Sequence, residues 1–168
     1  MTARPRRQRG FTYLLLLGFI AITGAGLAAL GEIWQLSRQR EREADLLYVG
    51  NEYRQAIGRY LAASTGGLAR YPAKLEDLLL DPRFPDSRRY LRELYPDPLT
   101  GRHDWQLITA PQGGIIGVAS SSTARPLKEA GFPVQLAAFE ALASRQGDKL
   151  SYRDWVFSYE PSLPLLRR

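Results

Sequence analysis

The longest uncharged stretch of the chain runs from Phe11 to Gly31 and is rich in Leu, Ile, Ala and Gly. As an α-helix, this stretch is long enough to cross the ~30 Å hydrocarbon core of a bilayer. Four arginines precede it within the first nine residues, and basic flanking residues favour the cytoplasmic side of a membrane. The pattern predicts a single membrane segment at 11–31, with the amino terminus in the cytoplasm.

Helical periodicity continues beyond this segment. Apolar residues recur at steps of three and four between Leu46 and Tyr60, and no proline interrupts residues 33–63. One helix is therefore predicted from Phe11 to about Ala63, apolar all round at first and amphipathic at 32–63. The charged run Arg40–Glu43 is interpreted as a solvated face or as a set of ion pairs between subunits. The small residues that follow, from Ser64 to Gly67, are expected to end the helix.

Residues 64–168 predict a small head of the α+β class. Three β-rich runs, with a Gly113–Gly114 turn between the first two, indicate a three-stranded antiparallel sheet. The predicted strands are 104–109, 115–120 and 152–159. The other predicted elements are a short helix at 71–80, a turn or two of helix at 90–94, an ordered loop at 95–101 and a helical stretch at 134–142.

The apolar face of the upper helix supplies one side of the predicted core. Packed on that helix, the sheet would bury three of its aromatic residues against an aromatic and aliphatic face. The buried set is expected to comprise Trp105, Trp155 and Phe157, and the helix face to comprise Tyr53, Ile57 and Tyr60.

Composition limits the chemistry that the chain can perform. It has 168 residues and no cysteine, so disulfides, thiol nucleophiles and thiolate metal sites are excluded. The formal net charge of +6 includes four arginines of the predicted leader, so the processed chain would carry only +2. Nucleic-acid binding is therefore not predicted, because it needs a clustered surplus of Lys and Arg.

The junction before the apolar stretch carries the most specific signal. A basic leader ends in Gly10 and is followed by Phe11, Thr12 and an apolar run. This resembles the leader of type IV prepilins and type II secretion pseudopilins. The resemblance implies a leader at 1–10, cleavage between Gly10 and Phe11 by the prepilin peptidase, and N-methylation of Phe11 by the same enzyme.

One position departs from that family pattern. Family members usually carry a glutamate at the fifth mature residue, where this chain has Leu15. That glutamate is thought to neutralise the terminal amine of a neighbouring subunit within the fibre, where an unpaired charge is costly. The departure favours a minor or divergent subunit.

The resemblance extends into the head. The major pseudopilin of type II secretion has a Tyr-Pro pair, a Leu-rich helix and a Leu-Pro-x-Asp-Pro-Trp-Gly loop that leads into the first strand. The matching residues here are Tyr71, Pro72, Tyr90, Leu91, Leu94, Pro96, Asp97, Pro98, Gly101 and Trp105. Leu99 and Thr100 replace the family tryptophan.

Three other interpretations of the apolar stretch remain open. Gly26-Leu27-Ala28 would serve as the cleavage site of a secretory signal peptide. The stretch could instead be an uncleaved signal anchor. A twin-arginine signal fits less well, because Arg9 and Gly10 stand where that signal has an apolar pair.

Catalysis is not predicted. His103 is the single histidine, and the run Ser120–Thr123 has no base patterned near it and is interpreted as a solvated loop. Gly113-Gly114 lacks the lysine of a phosphate-binding loop. The major pseudopilin binds calcium before its last strand, where this chain offers only Asp148 and Asp154, whereas Ca²⁺ takes six to eight oxygens. No cofactor is assigned, and no metal ligands are carried over.

The expected function is that of a pseudopilin-like structural subunit of a type II secretion system or a type IV pilus-related machine. The resemblance implies a bacterial inner-membrane protein with a periplasmic head. Its expected partners are the prepilin peptidase, other pseudopilins or pilins, the inner-membrane assembly platform and membrane lipid. The alternative is a membrane-anchored periplasmic binding domain with no role in a fibre.

Overall fold

The computed structural model describes residues 9–64 and 70–161; within these ranges it leaves undescribed the side chains of residues 9, 10, 25–33, 135 and 148. The chain divides into two compact units, residues 1–40 and residues 41–168. Helix α1 spans Arg9–Ala62 and contributes to both units. The predicted helix from Phe11 to about Ala63 is confirmed.

The described part of the first unit is helical throughout. Among the residues that the structure describes, no helix is both long enough and apolar enough to cross a membrane. The predicted membrane segment 11–31 is described only in part, since the side chains of residues 25–31 lie outside the description.

The second unit is an α+β domain built on residues 41–62 of α1. Strands β1 (Gln106–Thr109), β2 (Ile115–Ala119) and β3 (Phe157–Ser158) form an antiparallel sheet in the order β1-β2-β3. The predicted α+β class and the three-stranded antiparallel sheet are therefore confirmed. The central strand β2 is the most buried of the three, and β1 is largely exposed.

The hairpin between β1 and β2 follows from its glycines. Gly113 and Gly114 have φ of 91° and 84°, a region that side-chain-bearing residues avoid. The Ala110 amide donates to the Gly114 carbonyl at 2.9 Å, which closes the turn. This turn was predicted at the same two residues.

The third strand is shorter than predicted. Tyr152–Asp154 form a turn of 3-10 helix, and only Phe157 and Ser158 pair with β2. The cause is local: the Asp154 carboxylate accepts bonds from the Ser151 amide at 2.8 Å and the Ser151 hydroxyl at 2.9 Å. This capping arrangement favours a turn over an extended backbone.

Two other helix predictions need correction. The predicted helix at 71–80 is a 3-10 turn at Leu75–Leu78, and residues 90–94 are not helical. The Tyr90 and Leu91 amides both donate to the Leu78 carbonyl, at 2.9 and 3.1 Å. A long-range partner thus replaces the local bonds that a helix would need. The helical stretch predicted at 134–142 is confirmed as a 3-10 turn at Val134–Leu136 followed by α2, Ala137–Gln146.

The core lies between α1, the sheet and α2. Leu46, Tyr53 and Ile57 are fully buried on α1, and burying each such side chain contributes about 1.5–3 kcal/mol. The predicted burial of Trp105, Trp155 and Phe157 is confirmed.

Trp105 packs edge-on against Tyr53, with ring centroids 5.3 Å apart. Trp155 stacks on Phe139 of α2 and meets Phe132 and Tyr152 edge-on.

Candidate functional site

The apolar surface of α1 in the first unit is the leading candidate site. Between Phe11 and Gly24 every side chain is uncharged and exposed. The large apolar residues there are exposed by 45–76%. They are Phe11, Tyr13, Leu14, Leu15, Leu16, Leu17, Phe19, Ile20 and Ile22. The Thr23 hydroxyl donates to the Phe19 carbonyl one turn earlier, so this polar group needs no water. Such a surface suits lipid or other apolar helices.

The predicted processing junction lies at the start of this surface. Gly10 and Phe11 lie in the first described turn of α1, which spans Arg9–Ala62. Residues 1–8 of the predicted leader lie outside the described residues. No acidic residue stands in that turn.

The loop at 95–101 is ordered, as predicted, and Asp97 is its centre. The Asp97 carboxylate is fully buried. One oxygen accepts from the Leu99 amide at 2.9 Å, and the other accepts from the Ser120 hydroxyl at 2.6 Å and the Ser121 amide at 3.2 Å. The backbone of Asp97 adds bonds to Gly101 and Arg102. One carboxylate thereby ties the loop to the end of β2.

Tyr95 joins the same loop to α1. Its carbonyl accepts from the Tyr53 hydroxyl at 3.0 Å and from the indole nitrogen of Trp105 at 2.8 Å. Burial raises the pKa of Tyr53 to about 12, despite the opposing effect of the bond to Tyr95. Tyr53 and Trp105, the aromatic pair that packs on this face of α1, therefore also hold the 95–101 loop in place.

A second buried carboxylate, Asp81, closes the end of α1. It binds the Arg83 guanidinium at 2.6 Å and accepts from the Tyr90 hydroxyl at 2.9 Å. Arg83 also donates to the Tyr60 carbonyl at 2.8 Å and the Ser64 hydroxyl at 2.7 Å, and it covers the Tyr60 ring. A cation at a helix C-terminus satisfies free carbonyls and interacts favourably with the helix dipole.

Burial and hydrogen bonding act in opposite directions on Asp81. Burial raises the pKa of the Asp81 carboxyl, but the bonds from Arg83 and Tyr90 outweigh it, and the pKa lies below its ordinary value. The bond to Asp81 raises the pKa of Arg83. Both groups are therefore charged at neutral pH.

Two polar positions predicted to face solvent are buried. Ser120, predicted to lie in a solvated loop, is fully buried on Asp97. Glu43, interpreted as part of a solvated face or of a set of ion pairs between subunits, is 3% exposed and accepts from the Lys128 amide at 2.8 Å. The expectation of a solvated side chain was wrong at both positions, because segments distant in sequence supply the partners.

Ser120 and His103, the residues considered for catalysis, have different surroundings. The Ser120 hydroxyl donates to Asp97 and accepts from the Ser122 amide at 3.0 Å, so it is engaged in structure. His103 is exposed and stands next to Asp104, a few residues before β1. The Asp104 carboxylate binds the Thr100 hydroxyl at 2.6 Å and Arg102 at 2.9 Å.

The residues considered for calcium are described only in part. Asp154 caps its own turn through Ser151, and the side chain of Asp148 lies outside the description. Over the described residues, no group of three or more His, Cys, Asp or Glu could hold a metal ion.

Sequence reasoning missed the Asp97–Ser120 and Asp81–Arg83 pairs. The signals available were Asp97-Pro98 and Asp81-Pro82, in which an aspartate precedes a proline at a turn. The partner 23 residues away from Asp97 has no local signature.

Comparisons of the chain with protein-family models, with curated proteins and with solved structures found no significant match.

Proposed function

We propose that this chain is a pseudopilin-like structural subunit that assembles through the apolar helix beginning at Phe11 and presents residues 64–168 as a periplasmic head. In this proposal residues 11–31 lie in the inner membrane before assembly and against neighbouring subunits afterwards. The prepilin peptidase removes residues 1–10, and Phe11 becomes the methylated terminus.

The observation that carries the proposal is the exposure of nine large apolar side chains between Phe11 and Ile22. Complete burial of an exposed Leu, Ile or Phe side chain contributes roughly 1.5–3 kcal/mol, so a surface of this kind favours association. Charged side chains are absent from residues 11–24, which suits a hydrocarbon or protein environment equally. Both are environments that a subunit passing from membrane to fibre would meet.

The architecture of the second unit gives further support to the proposal. Its sheet and α2 share one hydrophobic core with residues 41–62 of α1, whereas the apolar residues from Phe11 to Ile22 are exposed. The proposed roles therefore fall on different parts of the helix, with the head on one part and assembly on the other. The Gly10-Phe11 junction adds the processing signal of the family that the leader resembles.

The first test is the identity of the mature amino terminus, read by mass spectrometry from membranes of cells with and without the prepilin peptidase. We expect a terminus at methylated Phe11 only when the peptidase is present. Gly10→Leu should block processing, and Gly18→Ala, a glycine of the same helix with open space around it, should not. A chain that still begins at Met1 beside active peptidase, or one that begins near Ala29, contradicts the proposal.

The second test addresses assembly. Because the chain lacks cysteine, a single Leu16→Cys variant gives an unambiguous crosslinking site within the apolar surface. We expect crosslinks to a pilin-like neighbour in intact cells, and none from a Ser144→Cys control on α2. A chain that is processed but never crosslinked through position 16 would favour the anchored binding domain.

A further inference from the structure

An open groove of about 620 Å³ runs along the second unit, between α1 and the irregular segment 89–95. The α1 side is formed by Tyr48, Glu52 and Arg59, which share one face of the helix. Arg89, Tyr90, Leu91, Arg92 and Tyr95 line the other side. Of the residues that line this groove, Tyr90 and Leu91 belong to the set that resembles the pseudopilin head.

Positive charge dominates the groove. It has three arginines and one carboxylate, Glu52. Arg59 donates to the Tyr90 carbonyl at 2.8 Å. Arg89 and Arg92 are exposed and form no ion pair or hydrogen bond with any residue that the structure describes. Two guanidinium groups are thus available to a ligand.

The wall that carries these two arginines is held in place. Leu91 is 4% exposed, and the Tyr90 and Leu91 amides donate to the Leu78 carbonyl. The Tyr90 hydroxyl is fixed by Asp81. A site that is already ordered loses less conformational entropy when a ligand binds.

We propose that this groove binds an acidic segment of a partner protein, with carboxylates paired to Arg89 and Arg92. The planar guanidinium group matches a carboxylate with two parallel hydrogen bonds. Tyr48 is 66% exposed at the edge of the groove and offers a ring for an apolar neighbour of the acidic residue. Three arginines beside one carboxylate form a small positive patch, which suits a few carboxylates of a peptide better than a continuous row of phosphates. This proposal goes beyond the assembly function and does not depend on it.

The test measures binding of a fluorescent peptide that alternates Asp or Glu with Leu, using the full chain in detergent micelles. The matched probe has Asn and Gln in place of Asp and Glu. We expect saturable binding of the acidic probe only. Arg89→Ala/Arg92→Ala should weaken it by at least about tenfold, the scale of a lost charge-assisted pair. The control Arg145→Ala/Lys149→Ala removes two exposed charges on and just after α2 and should leave affinity unchanged.

A second variant separates a specific site from general attraction. Glu52→Gln removes the one opposing charge and should tighten binding by roughly threefold, within the range of a partly screened charge pair. Thermal unfolding of each variant checks that the fold is kept. The proposal would be overturned if the groove and control variants lost affinity for the acidic peptide equally, or if the acidic peptide did not bind. Tighter binding of oligothymidylate than of the acidic peptide would overturn it in favour of a nucleic-acid site.

Discussion

The ring of Phe157 on β3 lies directly on the backbone of Gly50 in α1. A Cβ atom at position 50 would lie 2.5 Å from the ring of Phe157, closer than any real contact. The Tyr159 ring packs in the same way on Gly58. A Cβ atom added at position 58 would lie 2.7 Å from that ring. The two glycines therefore let the last strand pack against the helix, although glycine weakens a helix in isolation.

Gly50→Ala should destabilise the head. The gain in helix propensity is about 1 kcal/mol, but forcing a methyl group into the Phe157 contact costs about 1–3 kcal/mol or more. We expect a net loss in the free energy of unfolding, measured by denaturant titration with tryptophan fluorescence. Gly18→Ala, in the same helix with nothing within 4 Å, should cause no loss. A more stable Gly50→Ala protein would contradict this packing.

Asp97→Ala should be among the most damaging single changes in the head. It leaves the Leu99 amide, the Ser121 amide and the Ser120 hydroxyl without their acceptor, at a cost of about 3 kcal/mol. Ser120→Ala removes one donor and should cost only about 1 kcal/mol. A double-mutant cycle on the free energy of unfolding measures their coupling. Additive effects would show that the 2.6 Å bond contributes nothing.

Asp81 should make the head sensitive to acid. Its folded-state pKa lies below the ordinary value of 3.8, so the stability it contributes is present above about pH 4 and is lost as pH falls through the folded pKa. Asp81→Asn should lower the free energy of unfolding at pH 7 and flatten its dependence on pH below 4. Some acid dependence should remain from Asp104, whose pKa is also lowered, chiefly by its bond from Thr100. An unchanged acid profile in the variant would contradict the assignment.

Tyr53 should make the head sensitive to alkali. Its pKa is raised by burial from 10.0 to about 12, so its contribution is complete below pH 10 and is lost as pH rises through about 12. Absorbance titration of the phenolate should show Tyr53→Phe lacking one late-titrating group. Tyr60, Tyr71 and Tyr90 also have pKa values raised by burial, so the variant should keep other late groups. If Tyr53→Phe instead lacked a tyrosine that titrates at the ordinary pKa of 10.0, Tyr53 would be exposed to solvent.

Local pattern was sufficient for the main elements. The helix from Phe11 to Ala62, the Gly113–Gly114 hairpin and α2 each have a period or a turn residue that can be read within a short window. Pattern failed at 90–94, where Leu78 supplies the backbone acceptor, and at 152–156, where Asp154 caps a turn. In both places a hydrogen-bond partner, and not propensity, decided the conformation.

The sequence alone determined the apolar helix, the α+β class and the aromatic core, because hydrophobic period and turn chemistry are local properties. Only the tertiary structure decided that Gly50 is a contact point, that Asp97 and Asp81 are buried anchors, and that Arg89 and Arg92 face a groove with Arg59. These features depend on which distant segments meet, and burial of a polar group is decided by the partner that satisfies it.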